Sequence, residues 1–282
     1  MTTQVDLSIN GSVARILLRG EKGIQILSAE TRQRLLAVVE EVANADCSVV
    51  VFAAEGRTFI AGASIDELRT QDEQSALQDS RFGQRLMSAI ESLPQTTVAA
   101  IHGACAGGGT ELVLACDLRF AAEAAKIGLP ETSIGVLPGW GGTVRATQLL
   151  GMAVARRLIL TGELVSADEA LRVGLVDAVF PSERFTEEVD ARVAQMGKGR
   201  RPAKAGTARG RSGLTPSGIS TQHASGHPDV PQHRLERTAL IRRQGRQGCG
   251  VIAPVGSRWR CMGLARSHRR RRRERSIDSN RF

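Results

Sequence analysis

The stretch from His102 to Asp117 (HGACAGGGTELVLACD) constrains the fold of this chain more than any other. It follows an apolar run, Val98 to Ile101, that reads as a buried strand. Three consecutive glycines, Gly107 to Gly109, then open a segment whose apolar residues Leu112, Val113 and Cys116 recur at helical spacing. A strand that turns through glycines into a helix presents bare backbone N–H groups beside the positive end of the helix dipole, a place to hold negative charge. Glu111 lies three residues beyond Gly108, about one helical turn on. Its carboxylate is thereby placed near whatever those N–H groups hold. Backbone donors beside a carboxylate suit chemistry that passes through an oxyanion. Taken alone, Glu111 is more simply an ordinary first-turn acid favoured by the helix dipole.

The same alternation runs through the first two thirds of the chain. Val5 to Ile9 and Val13 to Leu18 read as a hairpin around Asn10-Gly11. Ser28 is a candidate N-cap for a helix from Ala29 to about Asn44, with Leu35, Val38, Val39 and Val42 on one face. Strands are expected at Val49 to Ala53, Leu118 to Ala121 and Val176 to Phe180. Helices are expected at Ile65 to Leu68, Leu77 to Leu93, from the glycine-rich turn Leu137 to Thr143 on to Leu150, and over 152–161, 166–173 and 183–195, with Gly128 to Glu131 as a loop. Alternating strands and helices argue for α/β layers.

Charge divides the chain. Residues 1–196 carry 17 Lys and Arg against 25 Asp and Glu, whereas residues 197–282 carry 21 against 4 and end in the run Arg269 to Arg273. The basicity of the whole belongs to the tail and says nothing about what the first part binds. Gly, Arg, Ser, Pro and Gln dominate the tail, too polar a mixture to offset the entropy of ordering it. We therefore expect a catalytic core over 1–196 and an Arg-rich, disordered tail over 197–282, read out of frame or replaced. The core is then expected to expose apolar surface that should be covered. No secretory signal and no apolar run of membrane-spanning length is present, and the five cysteines form neither a C-x-x-C pair nor a zinc spacing. These features point to a cytoplasmic, soluble protein with reduced core thiols at Cys105 and Cys116.

Four segments occur in a specific order and spacing: Phe59 to Ile65 (FIAGASI), Gly107 to Glu111, Pro130-Glu131, and Leu137 to Thr143 (LPGWGGT). Together they resemble the crotonase superfamily, the enoyl-CoA hydratases and isomerases, over roughly residues 5 to 196. Gly20-Glu21-Lys22, Phe59 to Ala63 and Ala100 to Cys105 look closest to the hydratase module of the β-oxidation multifunctional α-subunits.

The resemblance implies an α/β fold, the ClpP/crotonase spiral of ββα units, assembled as trimers or hexamers. It implies an oxyanion hole at the backbone N–H groups of Ala63 and Gly108, holding the thioester carbonyl oxygen of an acyl-CoA. It implies Glu111 and Glu131 as the catalytic carboxyls, one activating the water that attacks C3 and the other serving C2, with the two roles unassigned. Substrate contacts fall on Lys22, Ala61, Gly62, Ile65, Gly107, Pro138, Gly139 and Trp140. Trp140 stands where small residues are common, Ser64 where an Asp is common, and Gly23 to Ile26 replaces a usual Asn-Ala pair. The implied activity is syn addition of water to 2-enoyl-CoA thioesters in fatty-acid β-oxidation or related acyl-CoA catabolism. No metal and no cofactor are expected, since CoA arrives as part of the substrate; neither membrane nor nucleic acid is an expected partner. The alternatives are an isomerase or thioester hydrolase on the same site, and an inactive scaffold whose basic tail binds polyanions. His102 is expected to be structural.

Overall fold

The computed structural model describes residues 2–197. The Arg-rich tail lies outside the described residues. Ten strands and seven α-helices alternate: β1 (Thr3–Asn10), β2 (Val13–Gly20), α1 (Ala29–Ala43), β3 (Val49–Glu55), β4 (Thr58–Ile60), α2 (Ile65–Thr70), α3 (Glu73–Glu91), β5 (Thr96–Ile101), β6 (Ala104–Ala106), α4 (Gly108–Ala115), β7 (Leu118–Ala122), β8 (Lys126–Gly128), α5 (Gly142–Thr161), β9 (Leu164–Ser166), α6 (Ala167–Arg172), β10 (Ala178–Phe180) and α7 (Phe185–Gly197).

The strands form two sheets, ordered β1-β2-β3-β5-β7-β10 and β4-β6-β8-β9. Three successive units share one plan: β3-β4, β5-β6 and β7-β8 each place their first strand in the large sheet and their second in the small one, then continue into helix. This is the expected ββα spiral. Pairing is parallel except at β1–β2 and β8–β9.

The large sheet is buried on both faces, which is why its strands read as continuous apolar runs. Along β3 the side chains alternate between two cores. Val50 and Phe52 join the main core with α1, α3 and α4 residues, while Val49, Val51 and Ala53 join a smaller one with Phe185, Val189 and Val193 of α7.

Local signals explain most boundaries. Ser28 caps α1 by accepting the Thr31 N–H. Asp72 and Ser75 form a reciprocal capping box, so α3 begins at Glu73, ahead of the expected Leu77. Its first turn is polar and carries no apolar stripe. The hairpin is displaced by one residue: Asn10 still pairs with Val13, and Gly11-Ser12 form the two-residue loop, with Gly11 at a φ of 56°. The helices expected on either side of Gly151 are one run, α5, broken by a φ of 77° at that glycine. Pro130-Glu131, the end of the loop expected from Gly128, instead opens a 3-10 helix over Pro130–Ile134 with proline in its first turn.

The small sheet was not foreseen beyond its neighbours' turns. Its strands are three residues each, too short for a period-two pattern to show. It nevertheless fixes the glycine turn. Gly107 N–H donates to Gly128 O at 3.1 Å, and Thr110 Oγ1 donates to Gly128 O at 2.7 Å and to Cys105 O at 3.0 Å, tying the start of α4 to β6 and β8. Gly109 packs so closely on β4 that a Cβ there would lie 2.6 Å from Ile60 O. Gly109→Ala is expected to destabilise the fold by about 1–3 kcal/mol through overpacking. Gly139→Ala, whose Cβ would meet Ser80 Oγ at 3.6 Å, should cost far less. Urea unfolding of the two variants beside wild type checks the contrast.

Candidate functional site

Gly107 takes a φ of 55° and a ψ of −123°, a conformation closed to side-chain-bearing residues, and so turns β6 sharply into α4. Gly108 is the first helical residue, so its N–H has no partner one turn back. The Gly62-Ala63 segment runs beside it: a Cβ on Gly62 would lie 3.2 Å from Ala106 O and 3.9 Å from Gly108 N. Gly62 holds a φ of 116°. Its carbonyl accepts the Leu27 N–H at 2.9 Å, the bond that makes the parallel bridge between Leu27 and Ala63. In such a bridge the Ala63 N–H points away from the partner strand. The Gly62-Ala63 segment therefore runs close to the Gly108 N–H, and neither of the N–H groups expected to hold an oxyanion is engaged by another backbone group among the described residues.

Both expected carboxyls converge on this turn. Glu111 is buried on α4, and its Oε1 accepts the N–H groups of Trp140 and Gly142, each at 2.8 Å. Burial pushes its pKa up, against those two hydrogen bonds and the nearby Arg145 charge. Glu131 reaches in from the 3-10 helix at Pro130, close enough that a Cβ on Gly107 would be 3.5 Å from its Oε1. Both of its carboxyl oxygens are buried and neither has a hydrogen-bond partner. Burial pushes its pKa up to about 7, and the Glu111 charge adds to the effect. One carboxyl is thus held by two backbone donors while neither oxygen of the other has a hydrogen-bond partner, so the two sit in unlike environments.

The loop from Leu137 to Gly142 closes over the turn. Gly139 O accepts from Ser80 Oγ at 2.8 Å and from Gln84 Nε2 at 2.9 Å, both on α3. Arg145 bonds Trp140 O at 3.2 Å and pairs with Glu91 at 2.8 Å. Trp140 is buried between helices: Cβ atoms on Gly83 of α3 and Gly108 of α4 would lie 2.1 Å and 2.2 Å from opposite ends of its indole.

A residue the sequence reading passed over stands behind the indole. The Arg32 guanidinium lies 4.7 Å from the Trp140 ring centroid. It is 2 % exposed, pairs with Asp79 at 2.5 Å, and leaves Nη1 buried without a partner. Its signal was present in the sequence: Arg32 falls in register with Leu35, Leu36 and Val39 on the apolar face of α1.

The remaining expected contacts are spread out. Pro138 is buried at the loop, and a Cβ on Gly142 would meet both it and Glu111. Ala61 spends its N–H on Gln25 O. Ile65, at the start of α2, is 49 % exposed. Ser64 caps α2 by accepting the Glu67 N–H, so the serine serves where an Asp is common. Lys22 is exposed in a turn at a φ of 54°, the one non-glycine residue with positive φ among those described. His102 bonds Gly56 O at 3.1 Å and lines a separate cavity with Arg15, Phe185 and Asp190, apart from Glu111 and Glu131. Cys105 and Cys116 are core residues. Among the described residues no cluster of three or more His, Cys, Asp or Glu could hold a metal ion, and no helix is long and apolar enough to cross a membrane.

The unsatisfied Glu131 has a thermodynamic consequence. Its folded-state pKa, near 7, exceeds the ordinary 4.5. Between those values the folded protein holds a proton that the unfolded chain has released, so stability falls as pH rises through the window. Glu131→Gln removes that loss and is expected to exceed wild type by about 1–3 kcal/mol at pH 8, with little difference at pH 4. Parallel urea-unfolding stabilities across this range would refute the assignment.

Residues 8–218 match the enoyl-CoA hydratase/isomerase family. A short-chain-enoyl-CoA hydratase of Clostridium acetobutylicum is 35% identical over 182 residues, covering 64% of this chain and 70% of that protein. The crystal structure of an enoyl-CoA hydratase from Bacillus anthracis superposes with a TM-score of 0.70 at 30% identity, over 89% of this chain and 92% of that one. One from Mycobacterium avium subsp. paratuberculosis K-10 gives 0.68 at 29% identity, over 76% and 87%. With its ββα spiral and glycine turn in place, the chain belongs to the enoyl-CoA hydratase/isomerase family, and its fold is that of the crotonases.

Proposed function

We propose that this protein hydrates 2-enoyl-CoA thioesters, within fatty-acid β-oxidation or related acyl-CoA catabolism. The observation that carries the proposal is the pair of carboxyls in unlike states beside two unengaged N–H groups: Glu111 held by two backbone donors, Glu131 buried with both oxygens bare.

The thioester oxygen sits between the Ala63 and Gly108 N–H groups. Glu111, whose hydrogen bonds favour its ionised form, takes a proton from water as the water oxygen bonds C3. The C2=C3 electron pair moves toward the carbonyl, and the resulting enolate oxygen is stabilised by the two N–H groups and the dipole of α4. Glu131, protonated near neutrality, delivers its proton to C2. One proton transfer from Glu111 to Glu131 then resets the pair, so a single water is added and nothing is left over. Two such carboxyls suit hydration better than double-bond isomerisation, which needs one group to move a proton between C2 and C4. No metal or redox group enters these steps, and CoA arrives on the substrate.

Purified protein is expected to bleach the conjugated-enoyl absorbance of crotonyl-CoA. Glu111→Gln and Glu131→Gln should each lower kcat by about 10²–10⁴. The wild-type rate should fall above pH 7 as Glu131 loses its proton, and also at acid pH as Glu111 gains one. A folded protein inert toward crotonyl-CoA, or full activity in either variant, would remove the hydratase.

We assign Lys22 to the CoA phosphates, an ammonium being a suitable partner. Its left-handed backbone makes the assignment separable from folding. Lys22→Gly should leave stability unchanged or raise it by up to ~1 kcal/mol. The same change should raise KM for crotonyl-CoA about two- to fivefold.

Among the described residues, eight of the eleven large apolar side chains that stand exposed fall between Ile134 and Leu171. A concentration of this kind favours burial against further copies of the chain. We propose a homotrimer or homohexamer, read out as molar mass by light scattering.

A further inference from the structure

We propose that Trp140 is a chain-length stop that closes the acyl pocket just beyond the reacting carbons, and that Arg32 is the positioning residue that locks it. The proposal rests on acyl thioester binding at the site described above. It names what that site admits, and which residues decide it.

Three observations place the indole in the path of a long chain. Its six-membered ring abuts Gly108, where a Cβ would be 2.2 Å from Cζ3, and Gly108 donates one of the two N–H groups that fix the carbonyl carbon, C1. The Trp140 backbone N–H donates to Glu111, the carboxyl proposed to serve the reacting carbons, which holds the root of the side chain at the site. The five-membered end abuts Gly83, where a Cβ would be 2.1 Å from Cδ1. The ring therefore bridges α4 to α3 with no room for even a methyl group at either end, across the space next to C1–C3. A crotonyl chain ends one carbon beyond C3. A decenoyl chain would have to displace the indole.

Displacement is opposed by what stands behind the ring. The guanidinium of Arg32 faces the indole at 4.7 Å and is fixed from its own helix by Ser28 O, which Nε reaches at 3.3 Å, and from α3 by Asp79 at 2.5 Å. Glu67 lies 3.7 Å from the same nitrogen. Nη1 is already buried without a partner. Rotating the indole away would strip a second stabilising contact from a charge that has no access to water, and this makes the stop stiff. An aliphatic side chain at position 32 could not act in this way, and a lysine would keep the Asp79 pair but lose the planar stacking.

Affinities for butanoyl-CoA and decanoyl-CoA, saturated thioesters that cannot be hydrated, test the proposal in wild type, Trp140→Ala, Trp140→Phe and Arg32→Lys. Wild type is expected to favour butanoyl-CoA. The decanoyl-to-butanoyl affinity ratio should rise about tenfold or more in Trp140→Ala, since a single methylene in a closed pocket is already worth about 10-fold. Trp140→Phe and Arg32→Lys should give intermediate ratios, and they carry the test if the alanine variant does not fold. A structural role for Arg32 alone would lower stability without moving the ratio. An unchanged ratio in all three variants, or a wild type that favours decanoyl-CoA, overturns the proposal. Selective binding by a protein inert toward crotonyl-CoA would remove the hydratase and leave the stop. Activity with no chain-length selectivity would do the reverse, and binding of neither thioester would remove both.

Discussion

One carboxylate oxygen joins the two glycine-rich segments on which the site depends. Glu111 Oε1 takes the N–H groups of Trp140 and Gly142 and so clamps the start of α5 and the loop before it onto the first turn of α4. The clamp demands small residues on both sides. A Cβ on Gly142 would lie 2.9 Å from the Glu111 side chain, and one on Gly108 would run into the indole that the same bonds hold in place. A buried carboxylate is costly without donors, and here the donors are backbone groups that cannot be exchanged for water without unwinding the start of α5. The residue expected to move protons is thus also the residue that sets the shape of the pocket.

The legibility of the chain followed from the physics of each element. The long strands and amphipathic helices were readable because the large sheet is buried on both faces and α1 has a clear apolar stripe. Ser28 announced its helix, and Asp72 could have done so for α3. The strands β4, β6, β8 and β9 were not readable as a sheet: three residues cannot display a period, and their partners are distant in sequence. At the site, Glu111 was half legible from local chemistry, a first-turn acid behind a glycine turn. Glu131 was legible only through the set of four motifs, because nothing in Pro130-Glu131 signals that both oxygens will be buried. Arg32 was overlooked although it interrupts an apolar face, the kind of local inconsistency that marks a residue serving something other than the core.

The buried side-chain atoms left without partners make the same point from the folded side. Among the described residues they are one nitrogen of Arg32, one oxygen of Gln95 and both oxygens of Glu131. Native folds leave few such groups, because each forfeits the hydration of a polar atom. Gln95 retains compensation through its amide nitrogen, which bonds Val42 O at 2.9 Å. The other two lie beside the glycine turn and behind the indole: Glu131 against Gly107, and Arg32 over the Trp140 ring. Glu131 gains from this a pKa pushed up to about 7, which suits the proton delivery proposed for it near neutral pH. Arg32 gains a face that the indole alone can satisfy, so the ring has one place to rest. Stability given up at these three atoms is, on the reading proposed above, what fixes a proton at one end of the pocket and a wall at the other.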